Sequence, residues 1–113
     1  MQVFIHHIYE LEKGIRNLIL HTVSKEMIPF VEERLSSKKI SYKLYKLPNG
    51  RFNVFFGEHS CIQVIEKINK SNLSDYSAEE DFILGIMLGY DRKKQCDRFI
   101  QFKEKEEKKI KVS

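Results

Sequence analysis

The sequence predicts an α+β fold in which an antiparallel sheet of about four strands packs against helices. Two pairs of segments rich in β-branched and aromatic residues are each joined by a short glycine-containing connection, which is typical of β-hairpins. Helix-start signals follow each hairpin, so the predicted order is ββαββααα. The chain of 113 residues is long enough for one domain with its own core. We predict that domain over residues 1–105 and a charged C-terminal tail over residues 106–113.

The first hairpin is predicted near the N-terminus. Residues 2–10 and 16–23 are rich in Val, Ile, Leu, Phe and Tyr, and a short polar segment containing Gly14 separates them. Apolar runs on either side of such a segment are typical of paired strands. The pairing register of these two strands is left open by the sequence. Ser24 can cap the helix that follows.

The second hairpin has the stronger signal. Asn49-Gly50 separates residues 40–47 from residues 51–56, and this dipeptide favours a two-residue type I′ turn, which requires positive φ at both central positions. In that register Tyr45 lies opposite Val54 on one side of the sheet. Because both faces of these strands carry apolar residues, the sheet is either covered on both faces or leaves one face for a partner.

Three helices are predicted after the second hairpin. Ser60-Cys61-Ile62-Gln63 has the form of a capping box and opens a short helix through about Ile68. Ser77-Ala78-Glu79-Glu80 is a second capping box, and its helix ends near Gly89. Asp91 can cap the final helix.

Composition narrows the class of protein. The formal charge is +4, but basic and acidic residues are interspersed, so nucleic-acid binding is disfavoured. No apolar run approaches the roughly 20 residues needed to cross a bilayer, and the N-terminus lacks the features of a signal peptide. Two cysteines in a Lys/Glu-rich chain indicate a reduced compartment. We therefore expect a cytoplasmic protein without a membrane association.

A first candidate binding site lies at the start of the helix after the second hairpin. Gly57 follows an aromatic strand, and backbone N–H groups near Ser60 could bind an anion while the helix dipole lowers the pKa of Cys61. His59 is close enough in sequence to invite a thiolate–imidazole pair. The alternative is structural: Gly57 permits a turn, Ser60 caps the helix and Cys61 packs as a small apolar side chain.

Histidines provide a second candidate. His6, His7 and His21 are suitable ligand types for a metal, and the register of the first hairpin decides whether His6 or His7 lies opposite His21. Their spacing matches no known zinc motif, and two histidines on one face are more often hydrogen-bonded than metal-bound. No cofactor is predicted.

A third candidate lies at the junction of the last two helices. Tyr90 and Arg92, together with Asp91, Gln95 and Arg98, could recognise a charged group or a loop of a partner protein. The alternative is that Asp91 caps the helix and Arg92 remains in solvent.

Three segments together carry a resemblance to a family. They are Val3–Glu10 (VFIHHIYE), Asn53–Gly57 (NVFFG) and Glu79–Arg92 (EEDFILGIMLGYDR) followed by Gln95-Cys96. Over roughly residues 2–102 the chain resembles a small bacterial family of domains of unknown function. The resemblance implies a compact α+β domain and brings no activity, cofactor or catalytic residue. An association of the family's genes with flavodoxin-type proteins implies an acidic redox protein as a partner.

These observations favour a small non-enzymatic interaction or accessory domain, because the sequence completes no catalytic motif. A protein partner or self-association is expected. The alternative is a thiol- or metal-dependent, redox-associated protein that uses Cys61 with nearby histidines.

Overall fold

A computed structural model describes residues 2–112 of the chain, with side chains to residue 110. The α+β class is confirmed. Within the described residues, five α-helices surround three β-strands, and single 3₁₀ turns precede the second and fourth helices. The elements are α1 (Gln2–Glu12), β1 (Leu18–Val23), α2 (Ile28–Ser37), β2 (Ser41–Lys46), β3 (Phe52–Gly57), α3 (His59–Ile68), α4 (Ala78–Met87) and α5 (Arg92–Val112).

The sheet is antiparallel, with the strand order β1-β3-β2. The central strand β3 pairs with both neighbours, so that Gly57 lies opposite Leu18 of β1 and opposite Ser41 of β2. The sheet has three strands, fewer than the predicted four, because the first predicted strand is a helix.

The prediction of a strand over residues 2–10 is wrong. Phe4, Ile8 and Leu11 recur at helical spacing; the first two are buried, and Leu11 packs against the same core. Gly14, predicted in a hairpin turn, ends α1 instead. It has φ +74°, and the N–H of Ile15 donates to the carbonyl of Glu10, which is the hydrogen bond of a Schellman cap.

The second hairpin forms, but its predicted register is wrong by one residue. Leu44, not Tyr45, lies opposite Val54. Asn49 keeps a negative φ while Gly50 has φ +84°, so the turn is not type I′. Pro48 favours the second position of a type I turn, and this adds a third residue to the loop. Tyr45 therefore points to the opposite face from Val54.

Both faces of the sheet are covered by helices. Helices α1 and α2 pack on one face, and α3 and α4 pack on the other. The core of the first face consists of Phe4, Ile8, Ile19, Val23, Val31, Leu35, Val54 and Phe56. The core of the second face consists of Leu18, Tyr45, Phe55, Ile62, Ile65, Tyr76, Leu84 and Leu88. The sheet therefore leaves neither face for a partner.

The last helix, α5, packs mainly on α4. Phe99 meets Phe82 of α4 edge-on, with the ring centroids 5.7 Å apart. The molecule measures 51 × 30 × 24 Å. Helix α5 continues without a break across the predicted boundary between residues 105 and 106, while the outer ends of the predicted domain and tail, residues 1 and 113, lie outside the described residues. Among residues 2–112, no helix is both long and apolar enough to span a bilayer.

Candidate functional site

A cleft of about 410 Å³ lies where α4, α5 and the loop before α4 meet β1. This volume is within the range of about 300–1,000 Å³ that is usual for binding pockets. We call it the α4–α5 cleft. It is lined by Leu20, Leu73, Ser74, Tyr76, Asp81, Leu84, Gly85, Leu88, Tyr90, Gln95 and Arg98. Leucines from three elements give it apolar walls, and polar side chains from α4 and α5 complete it.

Local capping interactions set the geometry of the helices that form the cleft. Ser77 Oγ accepts from the N–H of Glu80 at 3.1 Å, and Glu80 Oε1 accepts from the N–H of Ser77 at 2.9 Å, so the predicted capping box of α4 is confirmed. Gly89 with φ +82° turns the chain after α4. Asp91 then accepts from the N–H of Lys94 at 3.0 Å and caps α5, as predicted.

Gln95 lies over Gly85 in the wall of the cleft. Its side chain is 9% exposed, and a Cβ atom at position 85 would overlap Gln95 Oε1. The glycine therefore lets α5 approach α4 closely enough to bring a primary amide into the cleft. An amide both donates and accepts hydrogen bonds, so Gln95 can recognise a peptide group.

An ion pair joins the two helices beside the cleft. Arg98 Nε donates to Asp81 Oδ2 at 2.7 Å, and Nη2 donates to Oδ1 at 3.0 Å. These hydrogen bonds, followed by the charge of Asp81, raise the pKa of Arg98. Arg98 is 61% exposed, so the outer side of its guanidinium remains accessible to a ligand.

Tyr90 and Arg92 differ in their relation to the cleft. Tyr90 lines the cleft at its rim and is 55% exposed. Arg92, the first residue of α5, is exposed and does not line it. The predicted cluster is thus brought together in part, through Tyr90, Gln95 and Arg98.

Tyr76 is a wall residue that the sequence did not single out. It is 4% exposed, and its hydroxyl has no hydrogen-bond partner in the described part of the chain. Burial, then the nearby Tyr45 and Glu80, raise the pKa of Tyr76 to about 12. Tyr76 reaches the wall of the cleft because the loop before α4 packs against the sheet. No local sequence motif marks a residue that is placed by packing of this kind.

The segment from Gly57 to Cys61 has a structural arrangement. Gly57 has φ +153°, and a Cβ atom there would overlap the carbonyl of Asn17. That carbonyl accepts from the N–H of Glu58 at 2.9 Å. Helix α3 begins at His59 with Glu58 as its N-cap, so the prediction that Ser60 caps this helix is wrong. The cap thus lies two residues earlier than predicted and directly follows Gly57, the last residue of β3.

Cys61 is half-buried. Burial, followed by the charge of Glu58, raises the pKa of the Cys61 thiol, which favours the structural alternative for this residue over the reactive thiolate. His59 Nδ1 lies 3.1 Å from Ser41 Oγ, so its hydrogen bond is with a hydroxyl of β2. Cys96 is exposed, and both thiols are free.

The structure brings two of the three candidate metal ligands together. The ring centroids of His7 and His21 are 5.5 Å apart because α1 packs on the sheet. His7 Nδ1 lies 3.2 Å from Glu10 Oε1, and His6 Nε2 lies 3.7 Å from the same oxygen. Burial, then the proximity of His7, lower the pKa of His21. Within the residues whose side chains are described, no three His, Cys, Asp or Glu side chains are grouped to hold a metal ion.

Comparison with known proteins gives one family match. A family model described as "Protein of unknown function (DUF2023)" matches residues 2–102. No curated protein matches the chain. The predicted resemblance to a family of unknown function is thereby confirmed over the predicted range.

Proposed function

The chain belongs to DUF2023, a family of proteins of unknown function, and we propose that this member is a non-enzymatic interaction domain that binds a segment of a partner protein in the α4–α5 cleft. The cleft is the observation that supports this proposal. Both faces of the sheet are occupied by the molecule's own helices, so neither face is available to a partner.

The side chains of the cleft are suited to recognition of a peptide. Leu84 and Leu88 provide an apolar surface for a side chain, and Gln95 provides an amide for a backbone group. Tyr90 and Arg98 at the rim are of the residue types that most often contribute strongly to protein interfaces.

The thiol-based alternative has weaker support. A nucleophilic cysteine needs a lowered pKa and a base within hydrogen-bond reach. Burial raises the pKa of Cys61, and the imidazole of His59 is hydrogen-bonded to Ser41. We therefore place the interaction in the cleft and not at the start of α3.

Photo-crosslinking in cells tests the proposal. A benzophenone amino acid replaces Tyr90 in one variant and Tyr9 in a control, since these tyrosines are 55% and 53% exposed and only Tyr90 lines the cleft. We expect a discrete crosslinked partner from position 90 alone. Equal crosslinking from both positions would count against the cleft, and a product of twice the chain mass would identify a second copy as the occupant.

A variant that fills the cleft with a large side chain tests whether the crosslinked partner lies in the cleft. Ser74 is exposed and lines the cleft, while Ser71 is exposed and does not. With the crosslinker at position 90, Ser74→Trp should abolish the product and Ser71→Trp should preserve it. A product that survives Ser74→Trp would place the partner outside the cleft and overturn the proposal.

A further inference from the structure

We infer that the segment bound in the α4–α5 cleft is acidic, with one apolar side chain in the cleft and carboxylates along α5. This inference rests on the proposed function and specifies the chemistry of the partner. It comes from a second cavity, from the unpaired charges that line it and from its position next to the cleft.

The second cavity, of about 320 Å³, runs along α5. We call it the α5 groove. It is lined by Arg98, Gln101, Phe102, Lys105, Glu106 and Lys109. Because Arg98 lines both the cleft and the groove, the two cavities are neighbours that meet at this side chain. A segment anchored in the cleft can therefore continue along α5.

The unpaired charges of the groove are positive. Among the described residues, no carboxylate lies within salt-bridge distance of Lys105 or Lys109. Lys103, outside the groove, is by contrast paired with Glu79 of α4. Glu106, the one acidic residue of the groove, lies 3.8 Å from Lys103. The groove thus offers two ammonium groups that a partner can pair.

The apolar part of the groove favours a peptide ligand over a polyanion that has no apolar groups. Phe102 is half-buried in the groove and gives a partner segment an apolar contact between the charges. Exposed ion pairs each contribute little to affinity and are screened by salt. Lys105 and Lys109 should therefore select and steer the segment, while the side chain in the cleft provides most of the affinity.

The helix sets the spacing of the carboxylates. Lys105 and Lys109 follow Arg98 by seven and eleven residues, which corresponds to about 10 and 17 Å along α5 at about 1.5 Å per residue. An extended segment advances about 3.3 Å per residue. Lys105 and Lys109 are thus about 6 Å apart along the helix, so the acidic residues of the segment should occur about two positions apart.

Selection of peptides on the purified full chain tests this inference. A displayed library of random 12-residue peptides is selected for binding to the purified chain. The same selection is carried out in parallel on a Lys105→Glu/Lys109→Glu variant. The matched control is Lys94→Glu/Lys108→Glu, which has the same change in charge at exposed α5 positions that line neither cavity. We expect peptides with an apolar residue and two Asp or Glu residues about two positions apart.

Binding of a selected peptide is then measured by fluorescence anisotropy. The Lys105→Glu/Lys109→Glu variant should bind at least tenfold more weakly, the control within about threefold of the unmodified chain, and 300 mM salt should weaken binding relative to 50 mM. Ser74→Trp should also abolish binding, because the anchor occupies the cleft.

The outcomes separate the inference from the proposed function. Peptides without acidic residues that lose binding in Ser74→Trp would overturn the inference and leave the proposed function intact. Failure to enrich any peptide would overturn the inference, and absence of the Tyr90 crosslink as well would overturn the function. A single-stranded RNA 20-mer that binds through Lys105 and Lys109 while no acidic peptide does would assign the groove to nucleic acid.

Discussion

Arg98 binds Asp81 through two parallel hydrogen bonds of 2.7 and 3.0 Å, and this pair joins α5 to α4 beside the cleft. The fork of the guanidinium matches the two carboxylate oxygens, which fixes the relative position of the helices as well as adding energy. Since Arg98 is 61% exposed, solvent screens most of the attraction. The pair should therefore serve the geometry of the cleft more than the stability of the domain.

Replacing this pair should have a small effect on stability. In a double-mutant cycle with Arg98→Ala and Asp81→Ala, we expect a coupling energy of about 0.5 kcal/mol in urea unfolding. Arg98→Lys should lose most of the coupling because an ammonium cannot bind both oxygens in the same way. A coupling above about 2 kcal/mol would show that the pair is a main support of the domain.

Gly57→Ala should destabilise the domain by at least about 2 kcal/mol. The residue has φ +153°, and the added Cβ atom would overlap the backbone carbonyl of Asn17, which cannot move away as a flexible side chain can. Gly50→Ala is the control, because Gly50 also has positive φ but open space around it. It should cost only about 1 kcal/mol. Equal losses in urea unfolding would show that the close approach to Asn17 is unimportant.

Ser77→Ala should cost about 1 kcal/mol, since it removes the hydroxyl that accepts from the N–H of Glu80. Ser60→Ala is the matched control. Ser60 is exposed within α3 and is not its N-cap, so its removal should change stability by less than about 0.5 kcal/mol. Thermal and urea unfolding of both variants measure the difference. A comparable loss in Ser60→Ala would restore the predicted cap of α3.

The sequence predicted the elements whose ends are determined by local bonds. The capping box at Ser77 and the cap at Asp91 involve side chains and N–H groups three residues apart, so their spacing is visible in the chain. The prediction of the first hairpin was wrong because it gave the β-branched and aromatic content of residues 2–10 more weight than the helical spacing of Phe4 and Ile8. Burial against the sheet favours the helix there, as tertiary packing often overrides propensity.

The candidate site was predictable only in part for the same reason. Tyr90, Gln95 and Arg98 are close in sequence, at the junction between α4 and α5, so they could be grouped in advance. Tyr76 and Asp81 join them through packing of the loop and of α4, which no local pattern encodes. The one-residue error in the second hairpin likewise came from Pro48, which changes the turn type and moves Tyr45 to the other face.

The two thiols should react at different rates. Cys96 is exposed, whereas Cys61 is half-buried and burial raises its pKa. Because the thiolate is the reactive form, Cys96 should react with an aromatic disulfide reagent at pH 8 at least several-fold faster. The Cys96→Ser variant should lose the fast phase and Cys61→Ser the slow one. Faster reaction at Cys61 would revive the hypothesis of a reactive thiol at the start of α3.

Stability should decrease as the pH falls below about 6.5 because of His21. Burial, then the proximity of His7 and of Arg51, lower the pKa of the folded His21, so the unfolded chain binds a proton more readily. The contribution of the neutral His21 to the free energy of unfolding is complete above the pKa of the unfolded chain. It is lost as the pH falls from that pKa toward the lowered pKa of the folded protein. Its slope cannot exceed about 1.4 kcal/mol per pH unit, the limit for one proton.

Urea unfolding between pH 7.5 and 5 measures this effect in the chain and in His21→Gln. The variant should show a shallower pH dependence, because glutamine does not titrate, whereas the control His6→Gln should keep the original slope. The His6 side chain is 68% exposed and lies on α1, whereas the His21 ring lies on the sheet between Phe4 and His7. If His21→Gln retained the full slope, protonation of His21 could not be the source of the pH dependence.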